Sequence, residues 1–117
     1  MIVARDTDRR PPSRLAERIR ERVEKHPFTL PSGQTIQVTC SIGYSVFPFD
    51  KKLLSILTWE QLISVADTGM YYAKTHGRNR SVGVMAGDHV QADSKILDRL
   101  EQSLEQAQAD GLVSLVE

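Results

Sequence analysis

Two cations near the end of a helical stretch are the strongest candidates for chemistry in this sequence. Lys74 and Arg78 lie four positions apart, after a segment whose apolar residues repeat at helical spacing. A lysine can act as a point charge on a phosphate, and an arginine can present a fork of donors to one. Basic residues also collect at the carboxyl ends of helices, because they offset the negative end of the helix dipole. Spacing alone therefore favours helix capping and leaves phosphate binding open.

The other residues that could do chemistry have plainer interpretations. Asp6 and Asp8 could hold a metal, but no further ligand lies nearby in the sequence, so we expect turn and cap acids. Cys40 falls on the apolar side of a predicted strand, where we expect a small core residue and not a nucleophile. The histidines are scattered without metal-ligand spacing: His26, His76 and His89. The arginines of an early helix are expected to point outward as a solvated charged face: Arg14, Arg18, Arg20 and Arg22.

The composition limits the classes of protein that the chain can represent. Its 117 residues are enough for one domain with a modest core. The formal net charge is +0 and the aromatic residues are not interleaved with a basic stripe, so nucleic-acid binding is not expected. No apolar run approaches about 18 residues and no signal-peptide pattern is present, which predicts a cytoplasmic protein without a membrane segment. The single cysteine excludes an internal disulfide.

Hydrophobic periodicity locates the elements that must position Lys74 and Arg78. A central helix is predicted to begin with a capping box of Thr58 and Gln61 and to end at Gly77. Strict alternation of apolar and polar residues over 35–46 predicts a strand with one buried face. The other expected elements are a strand end at 1–4, a helix over 13–25, a turn at 31–33, a loop over 47–57, a strand over 81–85, a linker over 86–92, a helix from Asp93 or Ser94 to Ala109 and a strand over 112–116.

Three segments occur in an order that is specific to one protein family. Residues 66–80 read ADTGMYYAKTHGRNR, residues 15–20 read LAERIR and residues 38–43 read VTCSIG. They resemble the A-D-x-A-x-Y-x-A-K-x-x-G-R-N signature, the helix and the strand of GGDEF domains, the catalytic domains of bacterial diguanylate cyclases. Gly69, where alanine is common, is the one departure from the signature. The resemblance covers residues 1 to about 85.

The resemblance implies an α+β fold. We expect a partial GGDEF domain with the nucleotidyl-cyclase-like, ferredoxin-like two-layer arrangement of sheet and helices, together with a C-terminal helix. Residues 1–85 would form the C-terminal portion of the GGDEF domain, residues 86–92 a linker, and residues 93–117 a C-terminal helix and tail. The resemblance implies that a strand at the centre of the family's sheet is absent from this sequence. We therefore expect a homodimer or another protein to cover exposed sheet edges.

The resemblance also implies an activity and a set of ligands. Diguanylate cyclases are nucleotidyltransferases of signal transduction, which join two GTP molecules into cyclic di-GMP with Mg²⁺ or Mn²⁺ and release pyrophosphate. Lys74 and Arg78 match family residues that contact the triphosphate. Arg18 matches an arginine that contacts the inhibitor cyclic di-GMP in many members. The GG(D/E)EF motif and the metal-binding acids do not occur in this sequence, so we assign no catalytic or metal residue and expect no metal to be held.

Three functions are consistent with these observations. The first is a C-terminal fragment of a diguanylate cyclase that is inactive on its own. The second is a degenerate GGDEF module that binds GTP, cyclic di-GMP or a protein partner without catalysis. The third is a plain α/β scaffold in which the charges form only solvated faces.

Overall fold

A computed structural model describes residues 11–46, 57–87 and 96–117, which form helices packed on a small mixed sheet. The predicted α+β class is confirmed. The helices are α1 (Pro12–Lys25), α2 (Trp59–Thr75), α3 (Ile96–Gln102) and α4 (Leu104–Ala109). The strands are β1 (Phe28–Thr29), β2 (Thr35–Ile36), β3 (Ile42–Tyr44), β4 (Ser81–Ala86) and β5 (Val113–Val116).

The central helix α2 begins and ends at the residues that its local sequence favours. Thr58 and Gln61 form the predicted capping box, with the Gln61 amide 3.2 Å from Thr58 Oγ1 and the Thr58 amide 2.9 Å from Gln61 Oε1. The apolar stripe of α2 is buried at four residues: Leu62, Val65, Gly69 and Ala73. The helix ends before Gly77, which adopts a φ of +111°. The capping and periodicity predictions for this helix are confirmed.

Three strands and α2 form the layer that carries the candidate cations. β3 and β4 are parallel, with Ile42 opposite Ser81, and α2 makes the crossover between them. β5 pairs antiparallel with the other edge of β4, so the sheet order is β3-β4-β5. The backbone of Gly43 lies against α2 so closely that a methyl group there would overlap backbone atoms of Ala66 and Met70. Helix and sheet are therefore held in register by a contact that only glycine permits.

The hydrophobic core joins α2 and the sheet to the C-terminal segment. Ile96, Leu100 and Val113 are at most 2% exposed and belong to one cluster with Val65 and Val84. Burial of such side chains stabilises the fold by about 1.5–3 kcal/mol each. The C-terminal stripe, which could have docked on the domain or on another chain, thus packs on the domain itself.

The strand predicted over residues 35–46 forms only at its two ends. Residues 35–36 pair with β1 in a short antiparallel hairpin, and residues 42–44 pair with β4. Between them, residues 37–41 have no strand neighbour among the described residues, and alternation of side chains does not form a ladder without one. Cys40 is only partly buried, so the prediction of a small core residue is also wrong.

The final helix is broken at Ser103, where a continuous helix was predicted. Ser103 has an extended backbone, and its side chain accepts a 3.1 Å hydrogen bond from the Gln106 amide, so it caps α4. A serine can offer the backbone this alternative to a continuing helix, and the apolar spacing does not reveal it. Gly111, with a φ of +77°, then ends the helical segment and β5 follows, as predicted.

Several sequence predictions fall outside the described residues. These are the strand end at 1–4, the turn acids Asp6 and Asp8, His89, the loop over 47–56, residues 88–92 of the linker, and the caps Asp93 and Ser94. The turn at 31–33 is described, and Gly33 there has a φ of +87°. No helix among the described residues is long and apolar enough to cross a membrane.

Candidate functional site

The candidate site is the turn that follows α2, where three consecutive residues have a left-handed backbone. Gly77, Arg78 and Asn79 have φ angles of +111°, +60° and +46°. The Arg78 amide donates a 2.9 Å hydrogen bond to the Ala73 carbonyl oxygen, which closes the helix end as a Schellman motif. Glycine adopts this conformation without strain and asparagine tolerates it, whereas a residue such as arginine loses about 1–2 kcal/mol. Arg78 therefore needs contacts elsewhere in the turn that offset this cost. We call residues 77–80 the phosphate turn, after the phosphate contact that the family resemblance implies for Arg78.

The two candidate cations lie at this helix end with their side chains exposed. Lys74 is in the last turn of α2, and Arg78 is in the phosphate turn. Neither side chain has a hydrogen-bond or ion-pair partner in the described part of the chain. Both charges are thus available to an anion that approaches the turn.

Asn79 anchors the phosphate turn to α1 through both ends of its amide. Its Nδ2 donates to Glu24 Oε1 at 3.1 Å, and its Oδ1 accepts from Arg20 Nη1 at 3.0 Å. Arg20 Nη1 also donates to Glu24 Oε2 at 2.9 Å. The three side chains form a closed ring of hydrogen bonds, in which the asparagine amide can point only one way.

Arg20 is itself held by a second carboxylate. Its Nε and Nη2 both donate to Glu17, and the Nη2 to Oε2 distance is 2.9 Å. Glu17 Oε1 also accepts from Ser81 Oγ at 2.8 Å, which ties α1 to the first residue of β4. These hydrogen bonds, chiefly those from Arg20, lower the pKa of Glu17, and the same contacts raise the pKa of Arg20 above its usual value. We call Glu17, Arg20, Glu24 and Asn79 the α1 clamp.

The prediction that Arg20 points outward into a solvated charged face is wrong, since its side chain is only 15% exposed. The spacing of Glu17, Arg20 and Glu24 suits ion pairs between helix turns and could have indicated that this arginine is held in place. The contact to Asn79 joins residues 59 positions apart, and no local pattern in the sequence predicts it.

The C-terminal segment contacts the opposite side of the phosphate turn. Arg80 donates to the His76 carbonyl oxygen through Nη1 and to Glu117 through Nη2, the latter at 3.2 Å. His76 Nε2 lies 2.9 Å from Glu105 of α4, and its ring stacks on Tyr72 with the centroids 3.8 Å apart. Burial, together with these neighbouring carboxylates, raises the pKa of Tyr72. Asn79 is therefore held by α1, while Arg80 and the adjacent His76 are held by the C-terminal segment.

Arg18 lies elsewhere on α1. It is exposed and lines a shallow surface groove with four neighbours: Glu21, Arg22, Lys25 and His26. Two residues apart on a helix correspond to a rotation of about 200°, so Arg18 and Arg20 face nearly opposite directions. The structure brings Lys74 and Arg78 to one helix end but does not bring Arg18 to the phosphate turn.

The described residues do not fit a divalent metal. Within residues 11–46, 57–87 and 96–117, no three histidine, cysteine, aspartate or glutamate side chains come together in a way that could hold one. Mg²⁺ prefers carboxylate and water oxygens in octahedral geometry. The two carboxylates bonded to residues of the phosphate turn are already paired, Glu24 with Arg20 and Glu117 with Arg80.

The fold and the turn together define a class: an α+β domain in which the helix of a β-α-β crossover is followed by a glycine-arginine-asparagine turn, with two exposed cations at that helix end. Comparison with known families identifies which one. The family model described as "Diguanylate cyclase, GGDEF domain" matches residues 1–80. The chain therefore belongs to the GGDEF domain family, and the resemblance seen in the sequence is confirmed.

Curated relatives agree with this assignment. The chain is 38% identical over 80 residues to the diguanylate cyclase DosC of Escherichia coli K12, a match that covers 68% of this chain and 16% of the relative. It is 39% identical over 87 residues to the response regulator PleD of Caulobacter vibrioides, covering 74% of this chain and 18% of the relative. The chain thus matches less than a fifth of the length of either relative. No solved structure matches the chain.

Proposed function

We propose that this chain is the C-terminal portion of a diguanylate cyclase domain, which presents Lys74 and Arg78 to GTP phosphates and forms no cyclic di-GMP by itself. One observation carries the proposal: Lys74 and Arg78 are exposed and unpaired among the described residues, and the α1 clamp orders the turn on which Arg78 lies. Free, ordered cations suit a role in neutralising phosphate charge.

The chemistry that this portion can supply is limited to binding and orientation. In the family reaction a 3′ hydroxyl attacks the α-phosphate of a second GTP and pyrophosphate leaves. Lys74 and Arg78 would offset the negative charge of the triphosphate and fix its position. A helix carboxyl end is electrostatically poor for anions, so the two side chains bind strongly only when further phosphate-binding groups lie beside them.

A chimera tests the contribution to catalysis. The matching 80-residue segment of E. coli DosC is replaced by that of this chain, and cyclic di-GMP is measured after incubation with GTP and Mg²⁺. We expect the chimera to be active, and Lys74→Ala or Arg78→Ala to lower its rate about 10- to 100-fold, the worth of one charged hydrogen bond. Arg14→Ala, at an exposed arginine near the start of α1, serves as the matched control and should leave the rate unchanged. Equal rates for all variants would remove both cations from the phosphate site.

The isolated chain tests the alternative of a binding module without catalysis. In the same assay the purified 117-residue chain should yield no cyclic di-GMP. Titration calorimetry should detect only weak binding of GTP–Mg²⁺, with a Kd of about 1 mM or higher. Micromolar binding of GTP or cyclic di-GMP without turnover would instead support the degenerate module.

We also propose that a second copy of the chain or another protein covers its exposed apolar surface, and that it acts in the cytoplasm, where GTP is found. Phe28, Leu30 and Ile36 of the β1-β2 hairpin are each 36–38% exposed. Apolar groups clustered on a short hairpin favour association. Light scattering at high concentration should show a dimer or larger species, and a stable monomer would contradict self-association.

A further inference from the structure

We propose that Arg20 is a positioning residue for phosphate binding, because it holds the phosphate turn in the backbone conformation from which Arg78 projects. This inference rests on the proposed function, since it assigns to Lys74 and Arg78 the phosphate contacts given above. Arg20 acts through Asn79 and contacts no ligand itself.

The hydrogen bonds of Arg20 require a planar fork. Nε and Nη2 face the carboxylate of Glu17, while Nη1 is shared between Glu24 and Asn79. An ammonium group at the end of a lysine side chain is a single point, which cannot face these three partners in this geometry. Arg20→Lys should therefore keep the charge of α1 and lose most of the contact to Asn79.

The contact matters because of what lies beside Asn79. Arg78 and Asn79 are consecutive residues with a left-handed backbone, a conformation that asparagine tolerates but that is unfavourable for arginine. The α1 clamp binds the Asn79 side chain at both ends, so it favours the one backbone conformation that reaches Arg20 and Glu24. When the clamp is removed, the backbone of the turn should relax toward right-handed or extended φ angles. The Arg78 side chain should then point in a different direction.

Other charged residues of α1 provide matched controls. Arg22 is exposed and lies two positions from Arg20, so it faces away from the turn. Arg22 lines the same surface groove as Arg18, and Asn79 is not among the residues that line this groove. Arg22→Ala therefore removes the same charge from the same helix without affecting the clamp.

The backbone of the full 117-residue chain can be read directly by NMR. A left-handed residue gives a strong intraresidue HN–Hα NOE, because φ near +60° brings the two protons together. We expect Arg20→Ala and Arg20→Lys to weaken this NOE at Arg78 and Asn79 by at least about twofold, whereas Arg22→Ala leaves it unchanged. Retention of the strong NOE in both Arg20 variants would overturn the inference, whatever happens to nucleotide binding. Because Arg20→Lys keeps the helix charge, it remains informative if Arg20→Ala does not fold.

A glycine at position 79 separates positioning from general stability. Asn79→Gly adopts the left-handed backbone without strain and has no side chain for Arg20 to hold. In the DosC chimera, Arg20→Ala should lower the rate of cyclic di-GMP formation about fivefold in the wild-type background and less than about twofold in the Asn79→Gly background. Equal effects in the two backgrounds would show that Arg20 acts only through stability.

The proposed function has its own separate outcome in the same chimera assay. If Lys74→Ala and Arg78→Ala leave the rate of the chimera unchanged, the phosphate role of these two cations fails, while the NMR comparison still decides whether Arg20 sets the turn. If both cation variants lower the rate and Arg20→Lys changes neither the NOE nor the rate, the positioning role fails and the proposed function stands.

Discussion

The two halves of this chain differ in the interactions that hold each of them in the fold. Residues 57–117 contain the hydrophobic core, in which Val65, Val82 and Val84 are completely buried. Among the described residues 11–46, Ala16 is the one hydrophobic side chain in the buried class, and the apolar face of α1 is only half covered. The N-terminal half is attached by the pairing of β3 with β4, by the close approach of Gly43 to α2 and by the charged contacts of the α1 clamp.

This difference separates stability from positioning. Dry apolar contacts contribute most of the free energy of folding, whereas exposed or half-exposed ion pairs contribute about 0–1 kcal/mol each. The core includes α3, α4 and β5, which lie beyond the residues that the family model matches. We infer that the C-terminal segment stabilises the layer that carries the phosphate turn, while α1 determines the conformation of that turn.

The largest effect should follow from a cavity in the core. Leu100 of α3 is 1% exposed, and Leu100→Ala should lower the free energy of unfolding by about 2–5 kcal/mol. Leu30, beside the hairpin, is 36% exposed, and Leu30→Ala should cost less than about 0.5 kcal/mol. Urea denaturation followed by circular dichroism measures both values. Equal losses would show that the hairpin region contributes as much packing as the C-terminal segment.

A smaller effect should follow from separating β3 and α2. A methyl group on Gly43 would overlap the Ala66 carbonyl oxygen and the Met70 amide nitrogen, which are backbone atoms that side-chain rotation cannot move. Gly43→Ala should therefore cost about 1–3 kcal/mol in the same denaturation experiment.

Gly69→Ala is the matched control for this contact. A methyl group at Gly69 would lie 3.0 Å from the Val82 carbonyl oxygen and from a Val84 methyl group, so it needs only small shifts. We expect the cost to be clearly lower than for Gly43→Ala. If Gly69→Ala proved the more damaging change, the close approach of β3 to α2 would not be the contact that fixes the two halves.

The parts of the fold that the sequence predicts are those that local interactions specify. The capping box of Thr58 and the glycine after α2 define this helix from neighbouring residues, and both ends were predicted correctly. The strand predicted over 35–46 is longer than the strands that form, because strand pairing depends on neighbours that are distant in the sequence. The break at Ser103 was missed because one side-chain hydrogen bond outweighs an unbroken apolar pattern there.

The candidate site shows the same division. The positions of Lys74 and Arg78 near a helix end follow from spacing and from the family signature. The left-handed backbone at Arg78 does not follow from spacing, because this conformation is unfavourable for arginine and depends on contacts from α1. The sequence also predicts that Arg20 points into solvent. This prediction is wrong because the contact that holds Arg20 is to Asn79, which is 59 positions away in the sequence.

The smallest expected effect is a dependence of stability on pH that arises from Glu17. Hydrogen bonds from Arg20 and Ser81 lower the pKa of Glu17 below the value of about 4.3 that is expected in the unfolded chain. The folded state therefore binds fewer protons than the unfolded state in this range. The contribution of Glu17 is complete above the unfolded pKa and is lost as the pH falls through the folded pKa. Because the Glu17 side chain is 44% exposed, this contribution to the free energy of unfolding should be at most about 1 kcal/mol.

Glu17→Gln measures this contribution, because glutamine has a similar size and does not titrate. The difference in unfolding free energy between the wild-type chain and Glu17→Gln should be present at pH 7 and should be lost as the pH falls through the lowered, folded-state pKa of Glu17. Glu21→Gln changes an exposed carboxylate of the same helix that contacts neither Arg20 nor Ser81 in the described structure, and it should show a smaller difference at pH 7. A difference for Glu17→Gln that did not change throughout an acid titration of the folded chain would mean that the carboxylate charge does not contribute. The contact between α1 and the turn would then depend on the shape of the side chains and on the ring of Arg20, Glu24 and Asn79 alone.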